Sequence, residues 1–200
     1  MNCENPLHVT RGQTDLYSKL CDLYTHMNQY INLVSRRTVD DLYTNHVLHS
    51  LCVAKFFNFS SHDIVFDVGT GGGFPGIPLA IYFPDTQFVL IDSIHKKINS
   101  VNRIISELLL GNVVTVCARV EDIHDKCDFV LGRAVANINK FISETKHLVS
   151  CRNFYNGIIY LNGSGDNPLC RHTVCDIGDM FGGLFVGKQL LYMNRSAICQ

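Results

Sequence analysis

An acidic residue followed by a run of glycines ends an apolar segment of this 200-residue chain. The stretch FDVGTGGGFPGIPLA, residues 66–80, holds five glycines and two prolines. Glycine has no Cβ, so such a turn lets a ligand approach the backbone closely. A dinucleotide fingerprint needs a third glycine where Phe74 stands, and a P-loop needs a lysine that the turn lacks. Phosphate binding is therefore the weaker interpretation of this turn.

Further acidic residues follow the next two apolar runs. Asp92 ends the second run, 21 residues after Gly71, where a carboxylate can accept hydrogen bonds from both ribose hydroxyls of a nucleoside. Alternatively, Asp92 caps a helix that starts after Ser93. Glu121 and Asp122 follow the third run, in the sequence RVED. Taken alone, that acidic pair is typical of a polar loop.

Alternating strands and helices are predicted to position these residues. The apolar runs predict seven strands, at 63–69, 87–92, 113–118, 128–131, 157–161, 173–181 and 188–193. Between them, helices are predicted at 76–82, at 94–110 with Ser93 as cap and Gly111-Asn112 as stop, and from Asn137 to about 149. This alternation is typical of right-handed βαβ units in a parallel sheet, with a final pair of strands joined by a turn.

The first sixty residues follow a different pattern. Apolar residues recur at helical spacing in two stripes, the first through Leu16, Leu20, Leu23, Tyr24 and Met27 and the second through Leu48, Leu51, Cys52 and Phe56. Thr38 is a candidate N-cap between them. We expect one domain over residues 1–200, with a helical N-terminal cap at 1–60 and an α/β core at 61–200.

The composition is that of an ordinary soluble protein, with 46% hydrophobic and 18% charged residues. No apolar run reaches the length of a membrane span, and the N-terminus lacks the apolar core of a signal peptide, so a cytoplasmic protein is expected. The nine cysteines are then expected to remain thiols.

Charge and metal-ligand spacing limit the function further. Neither His124 with Cys127 nor the group Cys170, His172 and Cys175 supplies four ligands, so no metal site is expected. A net charge of −1 argues against a globally basic nucleic-acid binder. Local basic patches remain open, at 36–37, at 96–97 and at Arg103.

The glycine turn resembles the first motif of the S-adenosylmethionine-dependent methyltransferases, in which an acidic residue lies two positions before GxGxG. That resemblance implies a Rossmann-like class I methyltransferase fold with a mostly parallel seven-stranded sheet. It also implies S-adenosyl-L-methionine as the cofactor. Asp67 would bind the cofactor's ammonium group, often through water, and adenine would lie beside the RVED segment.

The whole chain resembles a narrower family. The order of DVGTGGGFPGIPLA, LIDS with Lys96-Lys97, RVED and Gly132-Arg133-Ala134 is similar to that in the glucose-inhibited division protein B family. The upstream pieces Asn32-Leu33 and HVLHSL, residues 46–51, fit as well. These bacterial methyltransferases act on guanine N7 of small-subunit (16S) ribosomal RNA. The similarity extends from about residue 20 to 195, and PGIP is its most specific element.

The resemblance implies a set of site residues. The cofactor would be bound by Asp67, Gly69, Thr70, Gly71, Gly73, Phe74, Asp92, Val120, Glu121 and Arg133. Arg133 would also lie at the point of methyl transfer, and the RNA would meet His46, Ser50 and Asn162. Two positions depart from the family: Asn162 replaces a usual lysine and His49 a usual aspartate.

The implied reaction needs few catalytic groups. Guanine N7 carries a lone pair and no proton, so no general base is expected, and the protein has to supply orientation and electrostatics. The expected partner is 16S ribosomal RNA or an assembling small subunit, bound by a monomer without contact to a membrane. With a net charge of −1, strong binding to naked RNA is not expected.

Two other functions use the same features. A methyltransferase for a small molecule or a protein would carry the same cofactor motifs and differ in the N-terminal cap. A non-catalytic relative could bind RNA or ribosomes without turnover, and Asn162 is the only residue that favours it.

Overall fold

A seven-stranded sheet organises the chain in the computed structural model, which describes residues 7–35, 41–135, 137–163 and 167–199. The strands are β1 (Ile64–Val68), β2 (Gln87–Asp92), β3 (Val113–Cys117), β4 (Phe129–Arg133), β5 (Gly157–Gly163), β6 (Thr173–Asp176) and β7 (Lys188–Asn194). Their order across the sheet is β3-β2-β1-β4-β5-β7-β6. The pairs among β1 to β5 are parallel, whereas β7 runs antiparallel to both β5 and β6. The predicted α/β fold class is confirmed.

Helices cover both faces of this sheet. They are α1 (Arg11–Met27), α2 (His49–Leu51), α3 (Gly76–Tyr82), α4 (His95–Leu108), α5 (Ile138–Thr145), α6 (Met180–Gly183) and α7 (Arg195–Ile198). Side chains of α1, α3 and α4 pack in the core on one face. Side chains of α5 and α7 pack in a second core on the other. Because β1 is covered on both sides, it reads as a continuous apolar run rather than an alternating one.

The N-terminal cap starts with α1. Its first turn is held by a capping box, in which the Thr10 hydroxyl accepts from Gln13 N and the Gln13 side chain accepts from Thr10 N. Most of the predicted stripe is buried, and the buried Tyr17 adds a hydrogen bond from its hydroxyl to the Pro78 carbonyl of α3. The cap is thereby attached to the helix that follows the glycine turn.

The second predicted stripe is not one α-helix. A π-helical segment, Tyr43–Leu48, leads into α2, and a 3₁₀ turn, Val53–Lys55, ends it. π-helical turns of this kind are frequent at functional sites, because they change the direction of side chains within a helix. Thr38, the predicted cap, lies outside the described residues.

Two predicted boundaries are wrong for identifiable reasons. The stop of α4 is not Gly111 but Leu109, which adopts φ +55° while Leu110 N bonds to Ile105 O. Leu110 packs against the core, so the residue with the left-handed conformation that ends the helix is Leu109, the residue before it. The sixth strand ends at Asp176 rather than at 181, because the Asp176 carboxylate accepts from Gly178 N and turns the chain.

None of the helices in the described part of the chain has the length and apolar character needed to cross a membrane.

Candidate active site

The glycine turn joins β1 to α3 at the carboxyl edge of the sheet. It is attached to the neighbouring strand, because the amides of Gly69 and Thr70 both donate to the Ile91 carbonyl, at 2.9 and 3.0 Å. Three of its glycines have positive φ, +71° at Gly69, +58° at Gly71 and +91° at Gly73. Residues with a Cβ rarely adopt such φ values, so glycine is needed at these positions for the chain to turn sharply at the end of β1.

Asp67, the last but one residue of β1, is 1% exposed. Its Oδ2 accepts from the Thr70 hydroxyl at 2.6 Å and from Gly76 N at 2.9 Å. Its Oδ1 is buried and has no hydrogen-bond partner among the residues that the structure describes. Burial raises the pKa of this carboxyl from 3.8 to about 6, although Thr70, Gly76 and Arg133 act in the opposite direction. A buried acceptor without a donor costs free energy, so Oδ1 is a place where a ligand can compensate.

Asp92 ends β2 and is also buried, at 8% exposure. Its Oδ1 accepts from Ile94 N at 2.9 Å and its Oδ2 from Gly71 N at 3.0 Å. Lys97 Nζ lies 3.8 Å from Oδ2. Asp92 therefore forms an Asx turn that leads into α4 and does not cap the helix, because Ile94 is the N-cap position and its side chain makes no cap bond. The predicted cap, Ser93, is likewise not the N-cap residue. The second lone pair of each oxygen leaves room for a ribose hydroxyl.

A cavity of about 430 Å³ opens at this carboxyl edge. The ends of β1, β2 and β4 line it, and the lining includes Gly69, Asp92, Val120, Glu121 and Arg133. Asp67 and Gly71 are not among the lining residues. Val120 and Glu121 lie in a 3₁₀ turn, Val120–Asp122, after β3. The structure thus brings together strand-end residues that are up to 64 positions apart in sequence, Gly69 to Arg133.

Arg133, at the end of β4, is held by the N-terminal cap. Its Nη2 lies 2.8 Å from His46 Nδ1, and its Cζ lies 5.2 Å from the centroid of the Phe74 ring. A guanidinium has no acceptor, so His46 Nδ1 must be the unprotonated nitrogen. Burial, with the nearby Arg133, lowers the pKa of His46 to about 4. The imidazole is therefore neutral at physiological pH.

The charge of Arg133 stays largely uncompensated. Burial lowers its pKa to about 10, while Asp67 and Tyr24 act to raise it, so the guanidinium remains protonated at neutral pH. The ion pairs among the described residues, Lys97–Asp92 and Lys140–Glu144, do not include it. Among the described residues, Arg133 therefore does not fix a loop through an ion pair.

Three predicted contact residues are placed differently from the expectation. Ser50 is fully buried and its hydroxyl donates to the His46 carbonyl at 2.6 Å, so the prediction of a direct contact with RNA is wrong in this structure. The Thr70 hydroxyl is used by Asp67. Phe74 is 3% exposed and packs between Tyr24 and His46, at centroid distances of 4.8 and 4.9 Å. Thr70 and Phe74 support the site from beneath rather than line its cavity.

Gly73 also belongs to this supporting layer. A Cβ at this position would lie 2.5 Å from Ile77 Cδ1 and 3.0 Å from the Tyr24 hydroxyl oxygen. The close packing of the turn against α3 and the N-terminal cap therefore requires the glycine. Contact with a cofactor is not needed to explain it.

The two positions that depart from the family lie beside the site. Asn162 is half-buried near the end of β5, and its Oδ1 accepts from Gly163 N. On β7, Lys188 pairs with Gly163, so a positive charge stands on the neighbouring strand. His49 is buried against Phe185 at 5.2 Å, and its Nε2 has no hydrogen-bond partner. Burial, with Arg133, Lys188 and His46 nearby, lowers the pKa of His49 to about 3.

One wall of the cavity was not predicted from the sequence. It consists of Ala134 and Val135 after β4 and of α5 residues Lys140, Phe141, Glu144 and Thr145. Ala134 has φ +50°. Val135 N donates to the Tyr160 hydroxyl at 3.2 Å. The available signal was topological, since a helix after β4 must pack beside that strand's end, but no residue type there indicated chemistry.

The described residues fit S-adenosylmethionine. The cofactor has an ammonium group that can donate to the orphaned Asp67 Oδ1, a ribose that Asp92 can bind, and no pyrophosphate that would need an anion site. The cavity volume lies in the range of small-molecule sites.

Comparisons with known proteins agree with this geometry. Residues 13–161 match the family model described as GidB, rRNA small subunit methyltransferase G. Ribosomal RNA small subunit methyltransferase G of Flavobacterium johnsoniae is 45% identical over 183 residues, which cover 87% of each chain. The Porphyromonas gingivalis protein of the same name is 42% identical and covers 78% of this chain and 72% of its own.

Solved structures show the same fold at low identity. An S-adenosylmethionine-dependent methyltransferase from Aquifex aeolicus has a TM-score of 0.56 at 16% identity, covering 79% of this chain and 95% of its own. A mutant of MtNAS in complex with S-adenosylmethionine has a TM-score of 0.59 at 13% identity, covering 91% and 74%. With the matched family model extending through β1 to β5, the chain belongs to the rRNA small subunit methyltransferase G (GidB) family.

Proposed function

We propose that this protein transfers the methyl group of S-adenosylmethionine to N7 of one guanine in 16S ribosomal RNA. The observation that carries the proposal is that every residue lining the 430 Å³ cavity lies within the 13–161 segment that matches the family model. When bound, S-adenosylmethionine supplies an electrophilic methyl group on a sulfonium. The substrate contributes the nucleophile, so the protein's own residues act mainly by position.

The cofactor is held along the ends of three strands. Asp67 Oδ1 accepts a hydrogen bond from the ammonium group, directly or through a water molecule. Asp92 binds the ribose hydroxyls, and Val120 and Glu121 border the adenine. The turn at Gly69 and Gly71 brings the backbone against the cofactor without side chains in the way. These contacts fix the methyl group relative to the rim of the cavity.

Arg133 orients the target base. The guanidinium has further N–H groups beyond the one directed to His46, and guanine O6, next to N7, is a favoured acceptor for arginine. His46 is a positioning residue here, because it holds the guanidinium through a neutral nitrogen and so leaves the positive charge for the RNA. Neither side chain needs to give or take a proton, in keeping with a nucleophile that carries none.

The test is methylation of 16S RNA prepared from bacteria that lack this modification, with labelled S-adenosylmethionine as donor. We expect one methyl group per RNA, located at a guanine by strand cleavage specific for N7-methylguanine. Small subunits or folded 16S RNA are expected to react well, and short unstructured fragments poorly. A reaction without enzyme serves as the inactive control and the exposed Leu169→Ala variant as the active one. Label on protein or on small molecules in a lysate, with none on 16S RNA, would overturn the proposal.

The same proposal includes the setting in which the enzyme works. An enzyme that modifies the small subunit during assembly meets its substrate in the cytoplasm. Its cavity is lined by one chain, so a monomer suffices for the reaction. We further propose that residues 1–60 and 61–200 act as one domain, since α1, α3 and α4 share a single core.

A further inference from the structure

A second cavity, of about 310 Å³, lies at the opposite edge of the sheet. Its lining includes Asn194, which pairs with Gly157 at the start of β5, whereas Arg133 of the candidate active site pairs with Leu161. The four residue steps from Gly157 to Leu161 alone span about 13 Å along the strand direction. A ligand in this cavity cannot be the base that receives the methyl group. We call it the amino-edge groove.

One wall of the groove is an exposed aromatic ring. Phe154 is 63% exposed and its neighbour Tyr155 66%, with ring centroids 6.0 Å apart at 86°. Their loop is fixed, because Tyr155 N donates to Asn153 Oδ1 and the Tyr192 hydroxyl donates to the Tyr155 carbonyl at 2.6 Å. Two large aromatic side chains held outward in this way indicate a contact surface rather than core packing.

The other walls are polar and basic. Arg171 and His172 line the groove together with Thr173 and Asn194, and the described residues that line it include no aspartate or glutamate. The His172 Nδ1 lies 2.9 Å from the Cys170 carbonyl oxygen. Only a protonated Nδ1 can donate to that oxygen, so Nε2 of the neutral ring is an acceptor and offers no proton to a phosphate. Arg152, two residues before Phe154, adds an exposed cation on the same loop.

These groups match the two chemical features of a nucleotide. An exposed aromatic face stacks on a base, and an arginine binds a phosphate. An acidic peptide would use the cations but not the ring, and an apolar partner would use the ring but not the cations. The net charge of −1 gives this chain no general attraction for RNA, so any second RNA contact must come from such a local cluster.

We propose that the amino-edge groove binds one unpaired nucleotide of the substrate RNA, with its base stacked on Phe154 and its phosphate bound by Arg171. The proposal rests on ribosomal RNA as substrate and adds a second contact remote from the methylated guanine. It explains why folded RNA would be preferred, since only a folded substrate presents both segments at the required separation.

The chain contains no tryptophan, so Phe154→Trp gives a spectroscopic probe of stacking. With 16S RNA as the titrant, we expect its fluorescence to be quenched, because a base stacks on the indole. Adding Arg171→Ala should shift the quenching midpoint to about tenfold higher RNA concentration. Arg103→Ala, an exposed arginine on α4, is the matched control and should leave the midpoint unchanged. No quenching, or quenching that ignores Arg171, overturns the proposal.

Kinetics separate this proposal from the proposed function. Stacking is worth about 1–3 kcal/mol per base, so Phe154→Ala should raise KM for 16S RNA by about 5- to 150-fold. The kcat value and the affinity for S-adenosylmethionine should stay the same, and Leu169→Ala should change nothing. If Phe154→Ala methylates 16S RNA with an unchanged KM, the proposal for the amino-edge groove is wrong and the proposed function still stands. Absence of methylation by the unaltered protein contradicts the proposed function, while the fluorescence titration still reports on the groove.

Discussion

The neighbouring strands β1 and β2 both end near an aspartate that is at least nine-tenths buried, and the structure uses the two carboxylates differently. At the end of β2, each oxygen of Asp92 accepts a backbone hydrogen bond, and Lys97 lies close by. At the end of β1, only one oxygen of Asp67 is bonded, and the other is buried without a donor. Both oxygens of Asp92 are therefore bonded within the fold, whereas one oxygen of Asp67 has no donor among the described residues.

The two carboxylates differ in how much free energy a ligand can gain by bonding to them. A buried carboxylate oxygen without a donor has already lost its water, which costs free energy in the ligand-free protein. A ligand that donates to this oxygen removes that cost, so it gains more binding free energy than it would at an exposed acceptor. An oxygen that already accepts a backbone bond gains less from a further partner. The sequence motif names both aspartates as cofactor residues, but the structure predicts that they contribute unequally.

The largest expected effect comes from Asp67→Asn. The amide keeps an oxygen for Thr70 and Gly76 but presents N–H groups where Oδ1 stood. Loss of a charged hydrogen bond costs about 1.5–3 kcal/mol, so affinity for S-adenosylhomocysteine should fall by about ten- to a hundredfold. Isothermal titration calorimetry measures it. An affinity within twofold of the unaltered protein would mean that Oδ1 does not meet the ligand.

Asp92→Ala should have the next largest effect, and it should divide between stability and binding. The substitution removes the bonds that the Asp92 carboxylate accepts from Ile94 N and Gly71 N, which lowers the free energy of unfolding by about 1–3 kcal/mol. Affinity for S-adenosylhomocysteine should fall by about tenfold, less than for Asp67→Asn. Chemical denaturation and titration on the same sample provide both values. A larger loss of affinity here than at Asp67 would reverse the comparison.

Because of Asp67, a rise in pH should lower the stability of the ligand-free protein and raise its affinity for S-adenosylhomocysteine. Burial raises its pKa from 3.8 to about 6, so between these values the folded protein binds more protons than the unfolded chain. Asp67 therefore makes the ligand-free protein less stable as pH rises through that window. Binding needs the ionised carboxylate, so affinity should rise through about pH 6 and then level off.

The control for the pH series is Asp67→Asn, whose amide does not titrate. The difference in melting temperature between the two ligand-free proteins should shift in favour of the variant from pH 4 to pH 7. Its affinity should lack the step near pH 6. If both proteins show the same step, another group is responsible.

The smallest effect is expected for Lys97→Ala. Lys97 is about one-third exposed and 3.8 Å from Asp92 Oδ2, and solvent screens such a pair. The free energy of unfolding should change by less than about 0.5 kcal/mol, and affinity by no more than about twofold. Thermal denaturation with a ligand titration is sufficient to check this. A tenfold loss of affinity would mean that Lys97, a cavity-lining residue, contacts the cofactor directly.

Much of this architecture follows from local patterns in the sequence. β2 was predicted to the residue, and the short helix after the turn as well, because apolar runs bounded by glycine and proline define them. The two aspartates and the glycine turn were found because their chemistry is carried by residue type and spacing.

What the sequence did not reveal depends on contacts between distant segments. The bond from Arg133 to His46 joins positions 87 residues apart, and the burial of Ser50 depends on how the π-helical segment packs. The stop at Leu109 was missed because the neighbouring Leu110 is drawn into the core, a choice made by packing rather than by local propensity. The unequal use of Asp67 and Asp92 likewise needs the positions of their hydrogen-bond donors.

The contact between the N-terminal cap and the glycine turn has a consequence for protein engineering. A Cβ on Gly72 would lie 2.7 Å from the Leu33 carbonyl oxygen, and the Tyr24 hydroxyl donates to the Gly72 carbonyl. The conformation of the glycine turn thus depends on its contacts with the N-terminal cap. A chimaera that exchanges the N-terminal segment between family members must transfer the turn with it, because a mismatched pair would distort the loop that shapes the cofactor cavity. An exchange of the N-terminal segment alone is therefore expected to lower the affinity for the cofactor.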